Sequence, residues 1–163
     1  MDIDILSKID DEYGANLVIL VGPPCSGKST FAKELAKEDH NWIIISPDTI
    51  REEITGNIHD QSKNTLVFDR VYNDLVSALE SGFNVIYDAT NCRIQYRYKI
   101  INAVQGKVDK LFCVVFATNI SECLRRNEER NWIVPEDVIE RMYFTLRKHP
   151  PTIFEGYDAI IRK

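Results

Sequence analysis

Residues 22–30 read Gly22-Pro23-Pro24-Cys25-Ser26-Gly27-Lys28-Ser29-Thr30, which fills every fixed position of the spacing G-x-x-x-x-G-K-[ST]. That spacing serves polyphosphate chemistry. A chain that wraps phosphates needs inward-pointing backbone N–H groups and no obstructing side chains, hence a glycine at each end. Lys28 then reaches the β/γ-phosphates, Ser29 ligates Mg²⁺, and the helix that follows turns its positive N-terminal end toward the anion.

Two carboxylates and two arginines extend the chemistry. In Ser46-Pro47-Asp48-Thr49-Ile50-Arg51 the aspartate follows an apolar run. There it either accepts a proton from an attacking hydroxyl, as phosphoryl transfer requires, or caps a helix. Arg51, three residues on, shares its helical face and either fixes an anionic acceptor or faces solvent. Asp88 closes Asn84-Val-Ile-Tyr-Asp88 and either holds Mg²⁺ beside the glycine loop or serves as a turn residue before Thr90-Asn91. Ala89 stands where hydrolytic ATPases place a water-activating glutamate, and no N-K-x-D segment for reading guanine occurs. Arg126 and Arg130 are four apart, so one helical face carries both. They either form a lid that neutralises charge on a transferring phosphoryl, or pair with Glu122, Glu128 and Glu129 on a surface helix.

The elements that must position these residues follow from hydrophobic pattern. Asn16–Val21, Trp42–Ser46, Phe83–Asp88, Leu111–Ala117 and Tyr157–Ile161 read as strands. Helices are expected after the glycine loop (Phe31, Ala32, Leu35, Ala36), over Thr49–Ile54, and through Phe68, Val71, Tyr72, Leu75, Val76 and Leu79 to Gly82. A further helix is expected through Ile94, Tyr98, Ile101 and Val104. Another opens at Asn119 with Glu122 as a capping-box variant and runs to about Arg130. The last begins near Pro135 and stops at Pro150-Pro151. Alternating strands and helices predict an α/β/α fold of three layers with a central parallel sheet and a helical lid. Ligands then bind beyond the carboxyl ends of the strands, the edge where the glycine loop, Asp48 and Asp88 all fall.

Composition bounds the rest. The 163 residues carry a net charge of −5, of which residues 1–13 contribute −4 through Asp2, Asp4, Asp10, Asp11 and Glu12 against Lys8. Residues 1–13 therefore read as an acidic extension and 14–163 as a single domain. The overall charge disfavours a large nonspecific nucleic-acid footprint but leaves room for a short oligonucleotide. No apolar run approaches a membrane span and the acidic start lacks signal-peptide character, so a cytoplasmic protein without membrane contact is expected. Cys25, Cys92, Cys113 and Cys123 lie far apart without a C-x-x-C pair, as expected of reduced thiols. His40, His59 and His149 are scattered. Oligomeric state is not encoded in any of these features.

Taken in order, the glycine loop, Ser46-Pro47-Asp48-Thr49-Ile50-Arg51, Asp88-Ala89-Thr90-Asn91 and Arg126-Asn127-x-x-Arg130 resemble the P-loop polynucleotide 5′-kinases of phage and bacterial repair enzymes. Val134-Pro135, Val138-Ile139 and Met142-Tyr143 continue the likeness, which runs from about Asn16 to Tyr157. The resemblance implies ATP and Mg²⁺ as cofactors and a 5′-hydroxyl nucleic acid as acceptor. It makes residues 22–30 the nucleotide loop, with Lys28 on the phosphates and Ser29 on the metal. Asp48 becomes the general base, Arg51 the holder of the acceptor's 3′-phosphate, and Arg126 and Arg130 the lid arginines on ATP. Asp88 orders metal and loop, and Asn91 joins Arg51 and Asp88 on the substrate side. Pro47 departs from the polar or basic residue of many relatives, and the phosphatase or ligase domains many of them carry are not expected here. The wider superfamily also phosphorylates tRNA-linked groups, nucleotide sugars and small alcohols. A small-molecule or nucleoside kinase is therefore the second reading, and a nucleotide-binding regulatory module the third.

Overall fold

The computed structural model describes residues 14–38 and 41–163, so the acidic extension expected over 1–13 lies outside the described residues. Strand β1 (Asn16–Val21) is buried along its whole length. Only a strand covered on both faces tolerates so unbroken an apolar run, and β1 lies at the centre of the sheet. Around it stand β2 (Trp42–Ile45), β3 (Asn84–Tyr87), β4 (Lys110–Val115) and β5 (Ala159–Arg162), in the order β2-β3-β1-β4-β5 with every pair parallel. Asn16 fixes the start of the β1–β3 register. Its backbone N–H and side-chain amide both donate to Asn84 Oδ1, at 3.0 and 2.9 Å.

Alternate residues of β1 feed two cores. Leu17, Ile19 and Val21 join Val71, Leu75 and Leu79 of α3 (Asn64–Glu80), Ile100 of α4 (Ile94–Ala103) and Leu146 of α6 (Glu136–Lys148). Val18 and Leu20 face the other way, onto Ala32 and Leu35 of α1 (Lys28–Glu38). Helices thus cover both faces, giving the expected three layers. Two more helices, α2 (Pro47–Thr55) and α5 (Ile120–Glu128), bring the α-helices among the described residues to six.

Boundaries differ from expectation in instructive ways. The inward stripe of α4 is Arg97 and Ile100, while Tyr98 is exposed, so the helix is rotated one position from its apolar pattern. Asn119 does cap α5, accepting from the Ser121 N–H at 3.0 Å, but Glu122 bonds Arg125 and Arg126 instead of returning to the cap. Short 3₁₀ turns at Gln61–Lys63 and Ile153–Glu155 have no apolar rhythm and went unsignalled. Among the described residues no helix is long and apolar enough to cross a membrane.

Candidate active site

The parallel register brings the ends of four strands to one edge, and the chemistry-bearing segments leave from there. Residues 22–27 follow β1 and turn directly into α1. The two loop glycines are required for different reasons. A Cβ on Gly22 would stand 2.6 Å from Ser26 Oγ and 3.0 Å from Phe116 Cβ, whereas Gly27 has φ +104°, in the region that favours glycine. Cys25 adopts φ +65° without being glycine, so the loop holds a sparsely populated conformation at its crest. Thr118, just after β4, braces it by donating to the Ser26 carbonyl at 2.8 Å.

Lys28 is buried and folds back over the loop. Its Nζ donates to the Pro23 carbonyl at 2.7 Å and Ser26 Oγ at 3.3 Å. Burial lowers its proton affinity, and the Asp88 carboxylate is the foremost charge opposing that fall. Asp88 therefore lies within electrostatic reach of Lys28 at the end of β3. Ser29 and Thr30, in the first turn of α1, are exposed. Among the described residues no group of three or more His, Cys, Asp or Glu side chains could cage a metal.

On the neighbouring strand, Ser46 is the N-cap of α2 and Pro47 its first residue. Asp48 is therefore not the cap. Its side chain is 73% exposed, with one oxygen 2.6 Å from Arg51 Nη1. Arg51 does not face solvent. It is 5% exposed and also donates to the Ile58 carbonyl at 3.3 Å and Asn64 Oδ1 at 3.2 Å, leaving its buried Nε without a partner. Arg51 thus sets a buried guanidinium, with one donor unused, against the exposed Asp48 carboxylate.

The arginines of the third constellation divide between surface carboxylates and the glycine loop. Arg125 takes up Glu122 and Glu129 on the surface, while Arg126 pairs with Glu122 and also donates from Nη1 to the Cys25 carbonyl at 3.3 Å. Arg130 Nη1 lies 3.3 Å from Cys25 Sγ. Both guanidinium groups thus meet the crest of the glycine loop. Asn127, to which spacing assigns no role, closes the segment after α5 onto Val134. Its amide donates to the Val134 carbonyl at 2.7 Å and its Oδ1 accepts from the Val134 N–H at 2.9 Å. The available signal was its spacing four residues after Cys123, since both are buried on one face of α5.

Asn91 is placed differently from its expected neighbours. It is buried at φ +49°, and its amide donates to the Leu20 carbonyl on β1 at 2.8 Å. Gly22 N–H meanwhile bonds the Thr90 carbonyl at 2.9 Å. The segment after Asp88 is thereby stitched to the root of the glycine loop, and Asn91 spends its side chain on that seam. Beneath it lies Arg97, wholly buried. Its Nε and Nη2 grip the two oxygens of Glu155 at 2.7 and 2.8 Å, and Nη1 donates to the Asn91 and Cys92 carbonyls at 3.1 and 3.3 Å. The pair ties the C-terminal 3₁₀ turn to the segment that carries Asp88.

Breaking that pair from one side strands a buried charge. Glu155→Gln is expected to lower the unfolding free energy by about 3–5 kcal/mol, while Arg97→Met combined with Glu155→Leu should recover most of the loss. Urea denaturation of the three proteins checks this. Equal losses in the single and double variants would mean the pair is needed for its hydrogen bonds to the carbonyls and not for charge balance.

Comparison with known proteins gives the family and the fold. The AAA domain model designated AAA_33 matches residues 17–149. The chain is 31% identical over 131 residues to L-seryl-tRNA(Sec) kinase of Methanococcus maripaludis, covering 78% of this chain and 51% of that protein. Among solved structures it superposes on a chain of the Pnkp1/Rnl/Hen1 RNA repair complex with TM-score 0.75 and 25% identity, covering 86% of this chain and 47% of the other. It also superposes on Chaetomium thermophilum Kti12 in complex with ADP-AlF3, with TM-score 0.69 and 16% identity over 90% of this chain and 88% of the other. The chain spans about half the length of the seryl-tRNA(Sec) kinase and of the repair-complex chain.

Proposed function

This chain belongs to the AAA domain family AAA_33, and from that premise we propose that it is an ATP-dependent kinase transferring the γ-phosphoryl group to the 5′-hydroxyl of a polynucleotide. One observation carries the acceptor side: the exposed Asp48 carboxylate held 2.6 Å from a buried Arg51 whose Nε is unpartnered. Asp48 takes the proton from the attacking hydroxyl, and Arg51 receives the phosphate on the 3′ side of the terminal nucleoside. Residues 22–30 hold the triphosphate of the substrate, with Ser29 and Asp88 as the residues that would hold Mg²⁺. The metal, when bound, supplies neutralisation of charge on the phosphates. Arg126 and Arg130, already against the loop crest, meet the charge that spreads over the transferring group. The relatives named for seryl-tRNA(Sec) kinase activity and for an RNA repair complex are consistent with a nucleic-acid acceptor.

The test is transfer from γ-labelled ATP to a 5′-hydroxyl oligonucleotide, a nucleoside 3′-monophosphate, the matching nucleoside, and no acceptor. Losing a charge-assisted pair to Arg51 costs about 1.5–3 kcal/mol, so the two phosphate-bearing acceptors should exceed the nucleoside by roughly 10–100-fold in kcat/KM. Because Arg51 also holds Ile58 and Asn64, Arg51→Lys is a gentler probe than alanine. It keeps the charge, loses the fork, and should narrow the preference with ATP binding unchanged. Equal rates on nucleoside and oligonucleotide would favour a small-molecule kinase. Labelled phosphate released without any transfer would favour a regulatory module.

A further inference from the structure

His59 and Trp132 come from segments 73 positions apart in sequence, yet their rings meet edge to face, with centroids 5.6 Å apart and planes at 60°. Each is anchored close to the chemistry. His59 follows Ile58, whose carbonyl is held by the same Arg51 nitrogen that holds Asp48. Trp132 stands two residues beyond Arg130, which touches Cys25 at the loop crest, and inside the loop that Asn127 closes onto Val134. The ring pair therefore links the segment held by Arg51 to the segment that follows Arg130. Trp132 remains 54% exposed and the adjacent Ile133 64% exposed. An edge-to-face contact occupies one face of one ring at most, and Trp132 keeps half its surface exposed, so an indole face remains open as a platform for a planar ring.

We infer that His59 and Trp132 form an aromatic clip on which the 5′-terminal nucleobase of the acceptor stacks while Arg51 holds its 3′-phosphate. This deepens the polynucleotide-kinase reading and rests on it. Stacking reads a π-face and not a hydrogen-bond pattern, so the clip favours any base over none and discriminates little among the four. A polyol or other non-planar acceptor gains nothing comparable from it.

The experiment compares two 5′-hydroxyl oligonucleotides, one intact and one abasic at its 5′-terminal residue, in the full chain and in Trp132→Ala, Trp132→Phe and His59→Ala. The unmutated protein should show a KM about 5–100-fold higher for the abasic strand, with kcat nearly unchanged. Trp132→Ala should raise KM for the intact strand and abolish the difference, Trp132→Phe should restore most of it, and His59→Ala should weaken it. Equal handling of both strands by the unmutated protein overturns the clip while leaving the kinase reading intact. A Trp132→Ala defect of the same size on both strands would also overturn it, showing that the rings only latch the two segments together. Transfer to neither strand overturns the clip and the polynucleotide reading together.

Discussion

Asp48→Asn is expected to leave ATP binding intact while phosphoryl transfer falls roughly 10²–10⁴-fold. Asparagine keeps the size of the side chain and an oxygen that can accept the 2.6 Å bond from Arg51. What it loses is the capacity to take a proton from the acceptor hydroxyl. The alternative role for Asp48 is structural, but Ser46 occupies the N-cap of α2. That leaves only a first-turn charge favourable to the helix dipole, worth about 0.3–1 kcal/mol, and an ion pair with one exposed member. Thermal unfolding therefore separates the roles. A general base predicts a small change in midpoint and a large loss of kcat in a single-turnover assay with saturating ATP. A structural aspartate predicts a lowered midpoint with transfer close to normal, and that outcome would remove Asp48 from the mechanism.

The fold and the nucleotide loop were legible because their signals are local. The unbroken apolar run of β1 marks a strand covered on both faces, and the glycine loop must be followed by a helix N-terminus to do its work. Long-range side-chain pairing was not legible. Arg97 stands one position before Tyr98 of the expected apolar stripe of α4, where pattern alone casts it as a charge to be turned outward. It is turned inward because Glu155, 58 residues away, neutralises it, and nothing local announces that partner. Arg51 has the same character. Its spacing from Asp48 was plain, but its burial depends on Ile58, in a connection without periodicity, and on Asn64 at the start of α3. Asn91 shows the converse error. Its position in Asp88-Ala89-Thr90-Asn91 suggested a substrate-facing amide, whereas the left-handed backbone there turns the amide onto β1. Motif spacing identified the residues gathered at the sheet edge, but not which of them use their side chains to build it.

Lys28→Met should abolish detectable ATP binding and reduce kcat/KM by roughly 10²–10³-fold or more, since a cation that contacts phosphate in the ground state and again in the transition state contributes to both. The structure adds an expectation about stability that points the opposite way. In the free protein the Lys28 ammonium is buried, and desolvation lowers its proton affinity despite the opposing field of Asp88. Its hydrogen bonds reach one backbone carbonyl and one hydroxyl, and no carboxylate among the described residues is bonded to it directly. A buried cation so partnered carries a desolvation cost that only an anionic ligand fully offsets. Methionine fills the same space without that cost, so the free variant should unfold at the same temperature as the unmutated protein or a few degrees higher. ATP at 100 times its dissociation constant contributes about 2.7 kcal/mol of linkage, a rise in Tm of about 5–10 °C for a domain of this size, and the variant should show none of it. Thermal scans with and without Mg-ATP measure both quantities at once. A variant that loses several degrees without ligand would mean that Lys28 chiefly braces the empty loop through Pro23. One that keeps the ATP-induced rise would remove Lys28 from the phosphate site.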